Sequence, residues 1–348
     1  MNDRAVAVLE QYDFVVNNTR KGRGAIIAET DKGMIGLWEY VGKTERLFLC
    51  KDVCDRMEAS GFCNIDNLVP NKEGALFVTD LDGKNYVVKK YVDGRECDVS
   101  DGRECRYIVG EIARMHRIME FGEVLGLRKS EEAGTESDIE NERETEGIMH
   151  DPVIRDFSKR GAELNRVRSF IRKQSKKGEF ELAFLKQYAY FDELAKEAGR
   201  FLDEACLERL SDRVAQKGMY CHGECNQHNI LIGNKKIAAT HFEKCCMDIQ
   251  IRDLYLFLRK ILEKNNWSCA MGLSILEEYE KNKPLNADEK RYLYARLLYP
   301  ERFWKIANAY LNKRKSLPPR RQLEKLNALI GIETARMNFL KELEQNLL

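Results

Sequence analysis

The chain has 348 residues, enough for two lobes with a core each. Its 58 Lys and Arg against 57 Asp and Glu leave a formal net charge of +1, which argues against both a nucleic-acid and a membrane surface. No apolar run approaches a membrane span, Met1-Asn2-Asp3-Arg4 lacks the order of an export signal, and the 11 cysteines are therefore expected as reduced thiols in a protein made in the cytoplasm.

Residues 11–92 read as strands around one helix. Ala25 to Thr30 and Met34 to Tyr40 are apolar runs joined by the turn Asp31-Lys32-Gly33, a hairpin signal. Leu47, Cys50, Val53, Cys54 and Met57 recur at helical spacing until Gly61 stops them. Ala75 to Thr79 and Asn85 to Val92 flank Asp82-Gly83, a second hairpin. Asp93-Gly94 marks a hinge, which divides the chain into a β-rich lobe at 1–92 and a mainly helical lobe at 93–348. Beyond it, Tyr107 to Met119 has helical spacing and carries His116, expected as a core or interlobe contact. The segment 129–147 is acidic with little apolar content and reads as a solvated or disordered loop. Lys159 to Lys177 is its basic counterpart, and Phe180 to Leu202 is again amphipathic. Asn229 to Ile232 and Lys236 to Ala239 form a hairpin through Gly233-Asn234, and from Leu254 the chain reads as helices broken at Pro284, Pro300 and Pro318-Pro319.

The chemistry lies in Cys221 to Leu231. His222-Gly223-Glu224, four further residues and then Asn229 outline a phosphotransferase catalytic loop with Glu224 at the position of the catalytic Asp. His222 is the accompanying acid–base candidate, and its plainer role is to pack the loop. In Thr240-His241-Phe242-Glu243, His241 stands where such enzymes place a magnesium-binding Asp. Imidazole is a poor ligand for that hard cation; Asn229, His241 and Glu243 are the metal candidates, and Glu243 could instead join Glu224 and Asn229 in an unorthodox site. Asp253, opening the helix after the loop, is the expected brace of the loop backbone. On the strand that should carry the phosphate-pairing lysine, the best register of Gly36-Leu37-Trp38-Glu39 puts Trp38 there, with Lys32 or Lys43 as substitutes after a slip. Trp38, Lys90, Tyr91 and Val92 are the candidates to face a cofactor in the cleft. Cys221, Cys225, His228, His241, Cys245 and Cys246 form a separate soft-ligand group that zinc could use, although no second pair follows at finger-like spacing.

Together these residues resemble the CotS-type spore coat proteins, relatives of the aminoglycoside and choline kinase-like phosphotransferases. The resemblance is carried by Cys221 to Leu231, Thr240 to Glu243, Arg252-Asp253-Leu254-Tyr255 continuing to Trp267, Glu301 to Asn308, and Glu324-Lys325-Leu326. It implies an α+β, bilobal protein-kinase-like fold, deposition in the spore coat and other coat proteins as partners. Only His222, Gly223, Asn229 and Asp253 match the phosphotransferase pattern. Three readings follow: a structural or assembly component of the coat on a degenerate scaffold, a small-molecule kinase using Glu224, and a nucleotide-binding pseudokinase. The residues call for no cofactor by themselves; ATP and magnesium enter with the second reading.

Overall fold

Alternation within short apolar runs builds the N-terminal sheet of this computed structural model, which describes residues 6–22, 24–122, 153–234, 236–312 and 319–347. The acidic segment expected at 129–147, and Pro318, lie outside the described residues. Strands β1 (Val16–Lys21), β2 (Ala25–Thr30), β3 (Gly33–Tyr40), β4 (Val78–Thr79) and β5 (Asn85–Lys90) form an antiparallel sheet in the order β1-β2-β3-β5-β4. Side chains alternate across a strand. Ile26 and Ala28 of β2, Ile35 and Leu37 of β3, and Tyr86 and Val88 of β5 accordingly join one buried cluster with Val8, Leu9 and Tyr12. Helix α1 (Glu45–Ala59) buries the five residues picked out by periodicity, Leu47, Cys50, Val53, Cys54 and Met57. Gly61 follows it at a φ of 87°, the left-handed region that glycine enters without steric cost.

Helix α2 (Gly102–Ile118) starts five residues before the expected Tyr107. After it come α3 (Val153–Arg172), α4 (Glu179–Arg200) and α5 (Glu204–Lys217). The short strands β6 (Arg95–Glu96), β8 (Ile230–Ile232) and β9 (Ile237–Ala239) form a three-stranded sheet, and β7 (Tyr220–Cys221) pairs with β10 (Cys246–Met247). The remaining helices are α6 (Ile251–Lys264), α7 (Cys269–Asn282), α8 (Ala287–Leu298), α9 (Glu301–Asn312) and α10 (Pro319–Leu347). Their limits follow capping and proline chemistry: Asn286 and Glu289 make a reciprocal capping box on α8, and α9 begins directly after Pro300.

Contacts group the chain into two compact units. One comprises Met1–Asp98, Tyr107–His150 and Val214–Asp253; the other comprises Val99–Arg106, Asp151–Arg213 and Leu254–Leu348. In this division the loop segment clusters with the N-terminal sheet, whereas the sequence reading placed it beyond the hinge. The second unit is held by aromatic stacking, with Phe303 centred 5.1 Å from Phe184 and 4.3 Å from Phe191. It also buries Tyr255, whose hydroxyl donates to Glu301 at 2.6 Å.

Candidate functional site

Every sequence-derived candidate lies in the first unit. Arg20, Trp38, Lys90, Tyr91, Val92, Glu224, Asn229, Thr240 and His241 are among the residues lining a cleft of about 630 Å³, a size usual for small-molecule sites. The wall is set by strand periodicity: Ala25 and Ile27 of β2 face the cleft, while Ile26 and Ala28 face the sheet's own core.

The loop is braced from beneath. Asp253, fully buried, accepts from the His222 N–H at 2.7 Å and from the Gly223 N–H at 3.1 Å. His116 Nε2 approaches the same carboxylate at 3.4 Å. Burial alone would raise the Asp253 pKa, but the hydrogen bond and charge of His116 hold it below the ordinary carboxylate value. Gly223 has a φ of 82°, and a Cβ there would meet the Lys244 carbonyl oxygen at 2.0 Å, so only glycine fits. His222 is fully buried, with Nε2 2.8 Å from the Thr240 carbonyl oxygen and Nδ1 accepting the Glu224 N–H at 3.2 Å. Both of its nitrogens are thus used by backbone. Asn229 donates through Nδ2 to the Glu224 carbonyl at 3.0 Å, closing the loop on itself. The Glu224 carboxylate turns outward to Lys244 Nζ at 2.9 Å.

The strand side of the site is organised by a lysine that sequence reasoning did not select. Trp38 does occupy β3, paired with Ala25 on one side and Val87 on the other. Its ring folds back over Gly36, where a Cβ would fall 2.2 Å from the indole. Lys32 is spent in an exposed turn on Asp13, at 2.7 Å. From β5, Lys89 reaches beneath Trp38 with its Nζ 5.3 Å from the ring centroid. There it bonds Asp66 Oδ2 at 3.2 Å and forms a short ion pair with Glu243. Burial disfavours the ammonium, yet the two carboxylates outweigh it and raise the Lys89 pKa above its usual value. Lys89 in turn overcomes the burial of Glu243 and lowers that carboxyl, whereas the more deeply buried Asp66, sharing the site with Glu243, is pushed up. Lys90, one residue on, lines the cleft and pairs with Glu58 at 2.7 Å.

His241 has a φ of 66°, a left-handed conformation in which His, Asn and Asp are the commoner non-glycine residues. Its N–H donates to both Asp66 oxygens, at 3.1 and 3.0 Å, and its ring meets Trp38 edge-on with centroids 6.4 Å apart. Helix α1 is tied to the same segment: Arg46 donates to the carbonyls of Glu243 at 3.2 Å and Cys245 at 2.9 Å, and Cys50 donates to that of Phe242 at 3.0 Å.

As arranged, this donor set is a poor match for a magnesium nucleotide. The buried lysine beside Trp38, Lys89, has two carboxylates on it, and its side chain is 3% exposed. Glu243 is turned to Lys89, Glu224 to Lys244, and Asn229 to the loop backbone. Among the described residues no three His, Cys, Asp or Glu side chains converge as metal ligands. The zinc candidates disperse: Cys221 and Cys246 face each other across β7 and β10, and Cys245 lies beside Cys50 with sulfurs 3.8 Å apart.

A family model described as "Spore coat putative kinase YutH" matches residues 157–343, more than half of the chain. The endospore coat-associated protein YutH of Bacillus subtilis (strain 168) is 27% identical over 136 residues, a match spanning 38% of this chain and 38% of that relative's length. Among solved structures, an aminoglycoside phosphotransferase from Alicyclobacillus acidocaldarius superposes with a TM-score of 0.80 at 18% identity, covering 98% of this chain and 96% of that one. The AMP-bound spectinomycin phosphotransferase APH(9)-Ia superposes at 0.55 and 13% identity, over 98% and 97% of the two chains. At these identities the likeness establishes the fold, which is the α+β, protein-kinase-like fold of the aminoglycoside phosphotransferases.

Proposed function

The chain belongs to the YutH spore coat family, and on that premise we propose that it is a structural or assembly protein of the coat, built on a phosphotransferase scaffold with little or no phosphotransfer of its own. Coat deposition and coat-protein partners follow from the same premise, since the curated relative is a coat-associated protein. In this reading residues 1–92 and 93–348 are the two lobes. His222, Gly223, Asn229 and Asp253 preserve the loop's shape, while Glu224, His241 and Glu243 no longer serve a nucleotide.

One observation carries the proposal: Lys89 is held internally by Asp66 and Glu243 instead of standing free in the cleft. A phosphate would have to displace Glu243 from a buried ammonium before it gained anything, and His241 offers no oxygen for the metal that phosphoryl transfer needs. Thermal melting in millimolar ATP, with and without magnesium, tests this. A ligand at about 100 times its Kd would add roughly 2.7 kcal/mol of stability, so a binder is readily seen. No shift under either condition is the expected result. Magnesium-dependent stabilisation would favour a working kinase using Glu224, and a metal-independent shift would favour a nucleotide-binding pseudokinase.

A further inference from the structure

Helix α3 presents a basic face to solvent. Its inner face buries Val153, Phe157, Leu164, Val167 and Ile171. Its outer face is basic: Arg155, Lys159, Arg166 and Arg172 are exposed, as are Lys173 and Lys176 just beyond its end. At about 100° per residue, Arg155, Lys159 and Arg166 fall within about 40° of one another, and Lys173 continues their line. At about 1.5 Å per residue the three span about 17 Å from Arg155 to Arg166, and Arg172 lies about 100° off their line. The helix's two acids are withdrawn from it: Asp156 pairs with Arg160 at 3.2 Å, and Glu163 accepts from Trp304 Nε1 at 2.7 Å. The other exposed positions between Arg155 and Lys176 are Ser158, Ala162, Asn165, Ser169 and Ser175. Among the described residues none of the six bases is in an ion pair, in a protein whose charges otherwise nearly cancel.

We propose that this stripe docks an acidic, extended polypeptide segment of a partner protein. Like charges one to two turns apart repel, so an unneutralised row of this length costs stability unless something covers it. The surface lacks what other polyanions need. Among the described residues, the exposed positions of α3 include no aromatic on which bases could stack and no large apolar side chain to anchor in a lipid surface. An extended chain with carboxylates at alternate residues presents them on one face about 6.8 Å apart, close to the roughly 6 Å rise from Arg155 to Lys159. The partner would be a coat protein if the assembly reading holds, but the surface chemistry stands without that reading.

The test uses the full chain and three fluorescent probes: poly-L-glutamate, a single-stranded RNA homopolymer, and anionic phosphatidylserine vesicles. Poly-L-glutamate should bind, weaken as salt rises, and bind about tenfold more weakly to the Arg155→Gln/Lys159→Gln/Arg166→Gln variant, in keeping with exposed ion pairs worth up to about 1 kcal/mol each. The variant's melting temperature should equal or exceed that of the parent, since only exposed side chains change. Absence of poly-L-glutamate binding at low salt, or equal binding by the variant, overturns the proposal. So does tighter binding of RNA or vesicles, or self-association abolished by the same three substitutions, which would assign the stripe to another copy of the chain. Loss of coat localisation by the parent protein would bear on the functional reading and leave these binding results untouched.

Discussion

Replacing Lys89 with methionine isolates the buried ion-pair group beneath Trp38. Methionine preserves most of the side-chain volume, so packing against Trp38 changes little while the charge disappears. Two carboxylates then face each other, Asp66 with its side chain 4% exposed and Glu243 at 27%. Removing one member of a buried ion pair costs about 3–5 kcal/mol because the remaining charge has no compensation. Here Glu243 can relax toward solvent, which places the expected loss at about 3 kcal/mol. For a unit of this size that lowers the melting temperature by roughly 6–12 °C. Urea unfolding at pH 7 gives the free energy directly. Two controls belong with it. The triple variant Lys89→Met/Asp66→Asn/Glu243→Gln should recover most of the loss, since a buried triad can be exchanged for neutral groups at little cost. The Lys89→Met penalty should also shrink as pH falls from 7, because Asp66, already displaced upward by burial, takes up a proton. A loss below about 1 kcal/mol would place Lys89 in the range of exposed pairs and refute the argument that it is internally committed.

Restoring the usual acids through Glu224→Asp and His241→Asp should leave ATP hydrolysis at background, because the lysine remains engaged and Trp38 stays over Gly36; measurable turnover by the double variant would contradict this. Gly223→Ala should cost at least about 3 kcal/mol or abolish folding, since its Cβ would lie 2.0 Å from the Lys244 oxygen at a positive φ, and soluble, parent-like melting would count against the loop geometry. Asp253→Ala should lose about 3 kcal/mol in urea unfolding, as two buried backbone donors and His116 lose their acceptor. Asp253 and Glu243 both have folded pKa values below their unfolded ones. Their stabilisation is therefore complete above about pH 4.3 and is lost as pH falls through the folded values, which acid titration followed by circular dichroism would record as a transition on the acid side of the unfolded carboxylate range.

Much of the framework was legible in the sequence, because it rests on local rules. The Asp31-Lys32-Gly33 turn sets the β2–β3 hairpin, and the spacing of Leu47, Cys50, Val53, Cys54 and Met57 sets the buried face of α1. The loop from His222 to Asn229 was readable because its spacing is a geometric requirement. The Lys89 arrangement was not, since its parts come from residues 38, 66, 89 and 243, and no periodicity links them. One signal was available: β5 alternates so that Lys89 shares a face with buried Val87, and a lysine there requires a counter-charge. Strand β1 and the cleft-lining Gly22 after it were also missed, because Val16–Lys21 is polar and mostly exposed and carries no hydrophobic pattern.

The most direct test of the account is a crystal structure of the protein soaked with a non-hydrolysable ATP analogue and magnesium. The account predicts Lys89 still on Asp66 and Glu243, with no triphosphate in the cleft. Density for a triphosphate with a divalent ion, and Lys89 swung onto its oxygens, would contradict it.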